Sequence, residues 1–131
     1  MGSFGDFWED EVLDHLFGKG SYTPPTIYVA LSTADPTDDA SGIAEPSGNG
    51  YARVATAGSD WDAASGGALA NAEAITFPTA SGSWGTITHF ALFDAATAGN
   101  MLAHGELGAS QAITLNEIPR FPAGDIDVTL G

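Results

Sequence analysis

Acidic oxygens are the most abundant reactive groups in this chain, and Asp35, Asp38, Asp39 and Glu45 gather four carboxylates in one turn-rich stretch. Hard cations such as calcium are held by several oxygens of this kind. The stretch lacks the Asp-x-Asp-x-Asp-Gly order of an EF-hand. A hydrated acidic loop is therefore the expectation, with no cofactor assigned and calcium the only one the loop admits. Asp60 and Asp62 flank Trp61 and make a weaker acidic pair, which doubles as the one local cluster of aromatic and polar groups that a glycan site would need. Histidines supply a different geometry. If Thr86–Phe93 and Met101–Leu107 form a hairpin around Asp94–Asn100, one register pairs Phe93 with Asn100 and Ala91 with Leu102, which sets His89 opposite His104. A pair of imidazoles without a third ligand seldom holds zinc, so both are read as polar positions on an exposed or subunit-facing sheet.

Nucleophile and phosphate motifs fail on inspection. In Ser81-Gly82-Ser83-Trp84-Gly85 the glycine directly precedes Ser83, which is not the Gly-x-Ser-x-Gly elbow. Gly48-Asn49-Gly50 has neither the third glycine nor the lysine of a phosphate-cradling loop. Seventeen Asp and Glu always supply carboxylate pairs, and none stands out as a glycosidase pair. The chain is expected not to be an enzyme, with no catalytic, cofactor-binding or metal site.

The elements that position these groups fall into two kinds. Phe4, Trp8, Val12 and Leu16 recur at i+4, widened by Leu13 and Phe17, and predict an amphipathic helix over 3–18. Ser3 and Asp6 resemble a capping box, and Gly18 or Gly20 would close the helix. Its apolar face either plugs one end of its own core or docks on a neighbour. After Pro24-Pro25 the pattern changes to period two. It predicts strands over Thr26–Thr33, Tyr51–Ala57, Ala70–Phe77, Thr86–Phe93, Met101–Leu107, Ala112–Leu115 and Ile126–Leu130. Ile27, Val29 and Leu31 would face one way, Tyr28 and Ala30 the other. The reading is one domain over 1–131, a helix at 3–18 followed by an antiparallel β-sandwich of jelly-roll type at 26–131. Asp35–Gly50 and Gly58–Gly67 read as exposed loops, and the apolar outer faces of several strands as surfaces covered by partners.

Charge excludes more than it includes. Three Lys plus Arg against seventeen acids give a net charge of −14. Lys19, Arg53 and Arg120 stand alone, so nucleic acid and anionic membranes are not expected partners. Only 15% of residues are charged, below the usual ~25%, and the small uncharged remainder suits close subunit packing. Cysteine is absent, which removes disulfide and thiolate chemistry. The first residues have neither the basic start nor the apolar run of a signal peptide, and no window approaches the ~20 apolar residues of a membrane span.

In chain order, the segments WEDEVLDHLFG (Trp8–Gly18), TIYVALSTADP (Thr26–Pro36), GYARV (Gly50–Val54), AITFP (Ala74–Pro78), WGTITHFALFD (Trp84–Asp94), GNMLAHG (Gly99–Gly105) and RFPAG (Arg120–Gly124) resemble a family of short structural proteins of tailed-phage virions, often labelled tail-fibre-like. The resemblance implies a virion protein, made in the host cytoplasm, that works by binding other subunits. The compact chain, free of heptads and fibrous repeats, favours a capsid decoration (cement) protein on the outer capsid surface. As such it would form a homotrimer bridging major capsid subunits. A tail or tail-fibre component acting in host adhesion or glycan binding is the alternative. Candidate interface residues are Phe4, Trp8 and Phe17 on the helix, Trp61 in its polar loop, the scarce cations Arg53 and Arg120, and His89 with His104.

Overall fold

A computed structural model describes residues 2–130; Met1 and Gly131, the ends of the expected 1–131 domain, lie outside the described residues. Strands take 35% of the residues and helix 11%, so the chain is all-β with one N-terminal helix. The strands are β1 (Gly2–Phe4), β2 (Tyr28–Ser32), β3 (Val54–Ala55), β4 (Ala68–Ala70), β5 (Ile75–Thr76), β6 (Gly85–Phe93), β7 (Met101–Ile113), β8 (Arg120–Phe121) and β9 (Asp127–Thr129), with α1 spanning Asp6–Leu16. Seven of them form a curled sheet in the order β3-β2-β6-β7-β1-β9-β4, a half-barrel in outline, and β5 pairs with β8 in a second sheet. Ile75 and Phe77 on the β5 side and Phe121 of β8 pack against the core of the large sheet, so the two layers of the sandwich are very unequal.

Period-two alternation in β2 works as the sequence predicts. Val29 and Leu31 enter the main core with Phe90, Leu92, Leu102 and Val128, while Ala30 joins Ala91, Phe93 and Met101 in a small cluster on the opposite face. That second face is not left for partners. Ala40 and Ile43, from the loop expected to be exposed, cover it, and Pro36 is fully buried. The loop is exposed along most of its length, as expected, but through Pro36, Ala40 and Ile43 it also packs on its own chain.

The N-terminus departs most from expectation. Residues 2–4 form a strand rather than the first turn of the helix, and Gly5, not Ser3, is the N-cap. β1 lies between β7 and β9, antiparallel to the former and parallel to the latter, so the strands are not all antiparallel. Close approach explains the choice: a Cβ on Gly2 would stand 2.7 Å from the Phe90 ring and 2.8 Å from the His104 carbonyl. The division into helix and following sandwich thus gives way to an N-terminus woven into the sheet.

The Ala70–Phe77 strand divides into the end of β4 and β5. Met101–Leu107 and the first two residues of Ala112–Leu115 are instead joined as the single thirteen-residue β7, with the register against β6 shifting between Ile87 and His89. Such an irregularity absorbs extra residues without ending the strand. Asn71 is nearly fully buried beside β4, donating to the Glu73 and Pro122 carbonyls while its side-chain oxygen accepts from the Ile126 N–H.

Candidate interaction surface

The eight nominated residues fall into an inward-turned set and an outward one. Arg53 belongs to the first. Its Nε and one terminal nitrogen bind both oxygens of Glu45, at 2.9 and 2.7 Å, and its other nitrogen reaches the Ala95 and Ala98 carbonyls at 2.8 Å each. The guanidinium lies 3.7 Å from the centre of the Phe93 ring, and its side chain is only 6% exposed. Planar, bidentate geometry of this kind is what arginine offers and lysine does not. Tyr51 completes the cluster, donating to Glu45 while accepting the Leu31 N–H. Burial alone would raise the Glu45 pKa, but hydrogen bonds from Arg53 and Tyr51 and the Arg53 charge outweigh it and hold the carboxyl below its usual value. Burial drives the Tyr51 hydroxyl well above the ordinary tyrosine range, and the Glu45 carboxylate adds to the rise.

His104 is likewise turned toward its own chain. Its Nε2 meets Asp38 Oδ1 at 2.9 Å, fastening the loop to β7. The proposed pairing with His89 does not form, because β6 and β7 align Ala91 with His104 and His89 with Glu106. Asp94 accepts the Asn100 N–H, the turn sets Phe93 opposite Met101, and a bulge between Leu92 and Phe93 moves the register one residue further. The displacement keeps both imidazoles on one face but places them diagonally, with His89 against the Thr88 hydroxyl. The acidic loop is dispersed in the same way. Asp38 faces His104 and Glu45 faces Arg53, while Asp39 is drawn down to about 2 by hydrogen bonds from Ser41 and Thr37. Among the described residues no group of three or more His, Asp or Glu side chains is placed to hold a metal ion.

Phe4, Trp8 and Trp61 meet instead at a cleft. Phe4 projects from β1 and Trp8 from the first turns of α1, with ring centres 4.8 Å apart. The Trp8 indole N–H donates to the Tyr22 hydroxyl, and that of Trp61 to Thr56 Oγ1. Both tryptophans pack against the main core, and with Ile27, Leu69 and Val128 they line an apolar cleft of ≈ 300 Å³. The loop from Trp61 to Ser65 also shields β4: Asp62 N–H bonds the Ala70 carbonyl and Ser65 pairs with Ala68, which blunts the sheet edge. Arg120 is exposed at the lip of a larger depression shared with Glu106, Glu117 and Asp125.

Phe17 is 75% exposed, with Leu16 at 70% and Leu13 at 54%. The reason is local. No residue of α1 is buried, and the helix is held at its N-terminal half by Phe7 against Tyr22 and Trp8 against Phe4. Its last turn projects beyond those contacts, tethered by the Tyr22 N–H to His15 Nδ1 at 3.3 Å. There Gly18, at φ 73°, allows its N–H to bond the His15 carbonyl while Lys19 N–H bonds Asp14, the Schellman closure that fixes Phe17 at the C-cap. Sequence reading singled out Phe17; the enclosure of Arg53 by Glu45, Tyr51 and Phe93, and the Asn71 clamp, escaped it.

A sequence model of the family described as podophage GP4 fiber I protein gp80 matches residues 3–129. The chain belongs to this family. It is accordingly a structural protein of the virion of a short-tailed phage, as the resemblance of the sequence segments implies. A search of curated proteins finds no match. Among the described residues no helix is long and apolar enough to cross a membrane.

Proposed function

We propose that this chain is a fibre or tail subunit of a short-tailed phage that acts by binding neighbouring virion proteins and carries out no catalysis. The observation that carries this reading is the family match over almost the whole chain, whose description names a fibre protein. Exposed Leu13, Leu16 and Phe17 support an assembly role, since single domains rarely leave neighbouring large apolar groups on one helix end uncovered. Host-glycan binding at the Trp61 loop is weaker, because its indole N–H is bonded to Thr56 and its ring packs on the chain's own core.

Separating heads from tails in purified virions and measuring this chain in each fraction by quantitative mass spectrometry tests the proposal. Recovery with tails supports the fibre role. Many copies retained on tail-less heads would overturn it in favour of capsid decoration.

A further inference from the structure

Leu13, Leu16 and Phe17 stand at i, i+3 and i+4 of α1 and form one continuous apolar patch on the projecting last turn. Glu9 and Asp10 lie one turn before Leu13, and Asp14 beside it; all three are exposed. Any surface that covers the patch therefore comes within reach of three carboxylates. A partner bearing acids there would meet like charge, and one bearing none would leave these carboxylates partly desolvated.

A second copy of the chain fits badly. It carries only three Lys and Arg residues. Arg53 is enclosed and paired with Glu45, Lys19 adjoins the patch itself, and Arg120 sits among Glu106, Glu117 and Asp125. Among the described residues no face presents a basic rim. A two-fold pairing of patch with patch would set Glu9, Asp10 and Asp14 against their own copies if the helices ran parallel, and would offer them Lys19 as the one Lys or Arg at the patch if they ran antiparallel.

We infer that the C-terminal turn of α1 docks into an apolar groove with a Lys- and Arg-rich rim on a different virion protein. This rests on the assembly role proposed above and names its contact and its partner's chemistry. The mode is a helix end laid in a groove, with Leu16 and Phe17 as anchors and the acidic rim selecting the partner.

The test supplies the full-length chain in trans to cells infected with phage lacking its gene. A photo-crosslinking amino acid is placed at position 16, and particles are irradiated and analysed by mass spectrometry. Adducts to another virion protein, at a segment flanked by Lys or Arg, are the expected result. Adducts to a second copy of this chain would overturn the inference, as would incorporation without any adduct. In parallel, Leu16→Ser with Phe17→Ser should lower incorporation by about tenfold or more. Glu9→Lys with Asp10→Lys should lower it similarly, with thermal melting of the free proteins unchanged in both. Incorporation of either double variant at the level of the unaltered chain would sink the proposal even with the chain in tails. Absence of the unaltered chain from tails would sink the fibre role, and crosslinking on heads would still judge the docking surface.

Discussion

Replacing Arg53 by Met separates an internal role for this residue from an interfacial one. The substitution removes two charge-assisted hydrogen bonds to Glu45 and leaves that carboxylate without its countercharge, while the Ala95 and Ala98 carbonyls lose a shared donor. Breaking a fully buried pair costs about 3–5 kcal/mol. Glu45 retains 22% side-chain exposure, so water recovers part of this and about 2–3 kcal/mol is the better figure for the pair. Loss of the guanidinium from the Phe93 ring adds roughly 0.5–1 kcal/mol. A destabilisation of about 3 kcal/mol should lower the melting temperature by roughly 10 °C, and typical domain stability leaves the variant folded. Urea and thermal denaturation of the isolated chain, followed by circular dichroism, would measure it. The deficit should shrink as pH falls, because burial without the Arg53 countercharge pushes the Glu45 carboxyl up and lets it take up a proton. Pairing Arg53→Met with Glu45→Gln should cost much less than the sum of the two single changes. If Arg53→Met melts within about 0.5 kcal/mol of the parent, below the scale of a buried pair, the enclosed ion pair contributes nothing and the argument fails.

Further perturbations address other links between sequence and fold. Deleting residues 1–5 removes β1 from between β7 and β9, and should replace a cooperative thermal transition by a broad one with increased binding of a hydrophobic dye. Gly2→Ala should cost about 1–3 kcal/mol in urea titrations, because its Cβ would press on the Phe90 ring and the His104 carbonyl. Asn71→Ala leaves the buried Ile126 N–H without its partner and should cost roughly 2–3 kcal/mol by the same measurement. The pH profile should fall at both ends. Glu45 is depressed on folding, so its contribution is present above its ordinary value of 4.5 and is lost as pH falls through its lower folded value. Tyr51 is raised, so its contribution is complete below 10.0 and is lost as pH climbs above it, with Tyr51→Phe flattening the alkaline limb.

Local signals determined a good deal of this protein. Alternation of Ile27, Val29 and Leu31 with Tyr28 and Ala30 is a property of a few adjacent residues, and it located a strand and its two faces. The i+4 recurrence from Trp8 to Leu16 likewise marked a helix and left Gly18 or Gly20 to end it, of which the fold uses Gly18 in the left-handed conformation. The ordered segments also carried the family. What they could not decide was every pairing between distant positions. Gly2 belongs to a strand because Phe90 and His104 lie against it, a proximity that no neighbouring residue encodes. His89 and His104 missed each other because the turn pairs Phe93 with Met101 rather than Asn100 and a bulge at Leu92 and Phe93 moves the register one residue more, and a bulge leaves no sequence signature when any residue fits it. Arg53, a scarce cation that could pair with a carboxylate of its own chain or cross a subunit boundary, became an internal clamp once the chain brought Glu45, Phe93 and two carbonyls around it. Phe17, drawn from the same list of candidates, stayed outside because the helix runs past its last core contact. Residue type and spacing determined which groups were available; long-range packing decided which the fold enclosed and which it left for a partner, because burial depends on all the chain that arrives at a point in space.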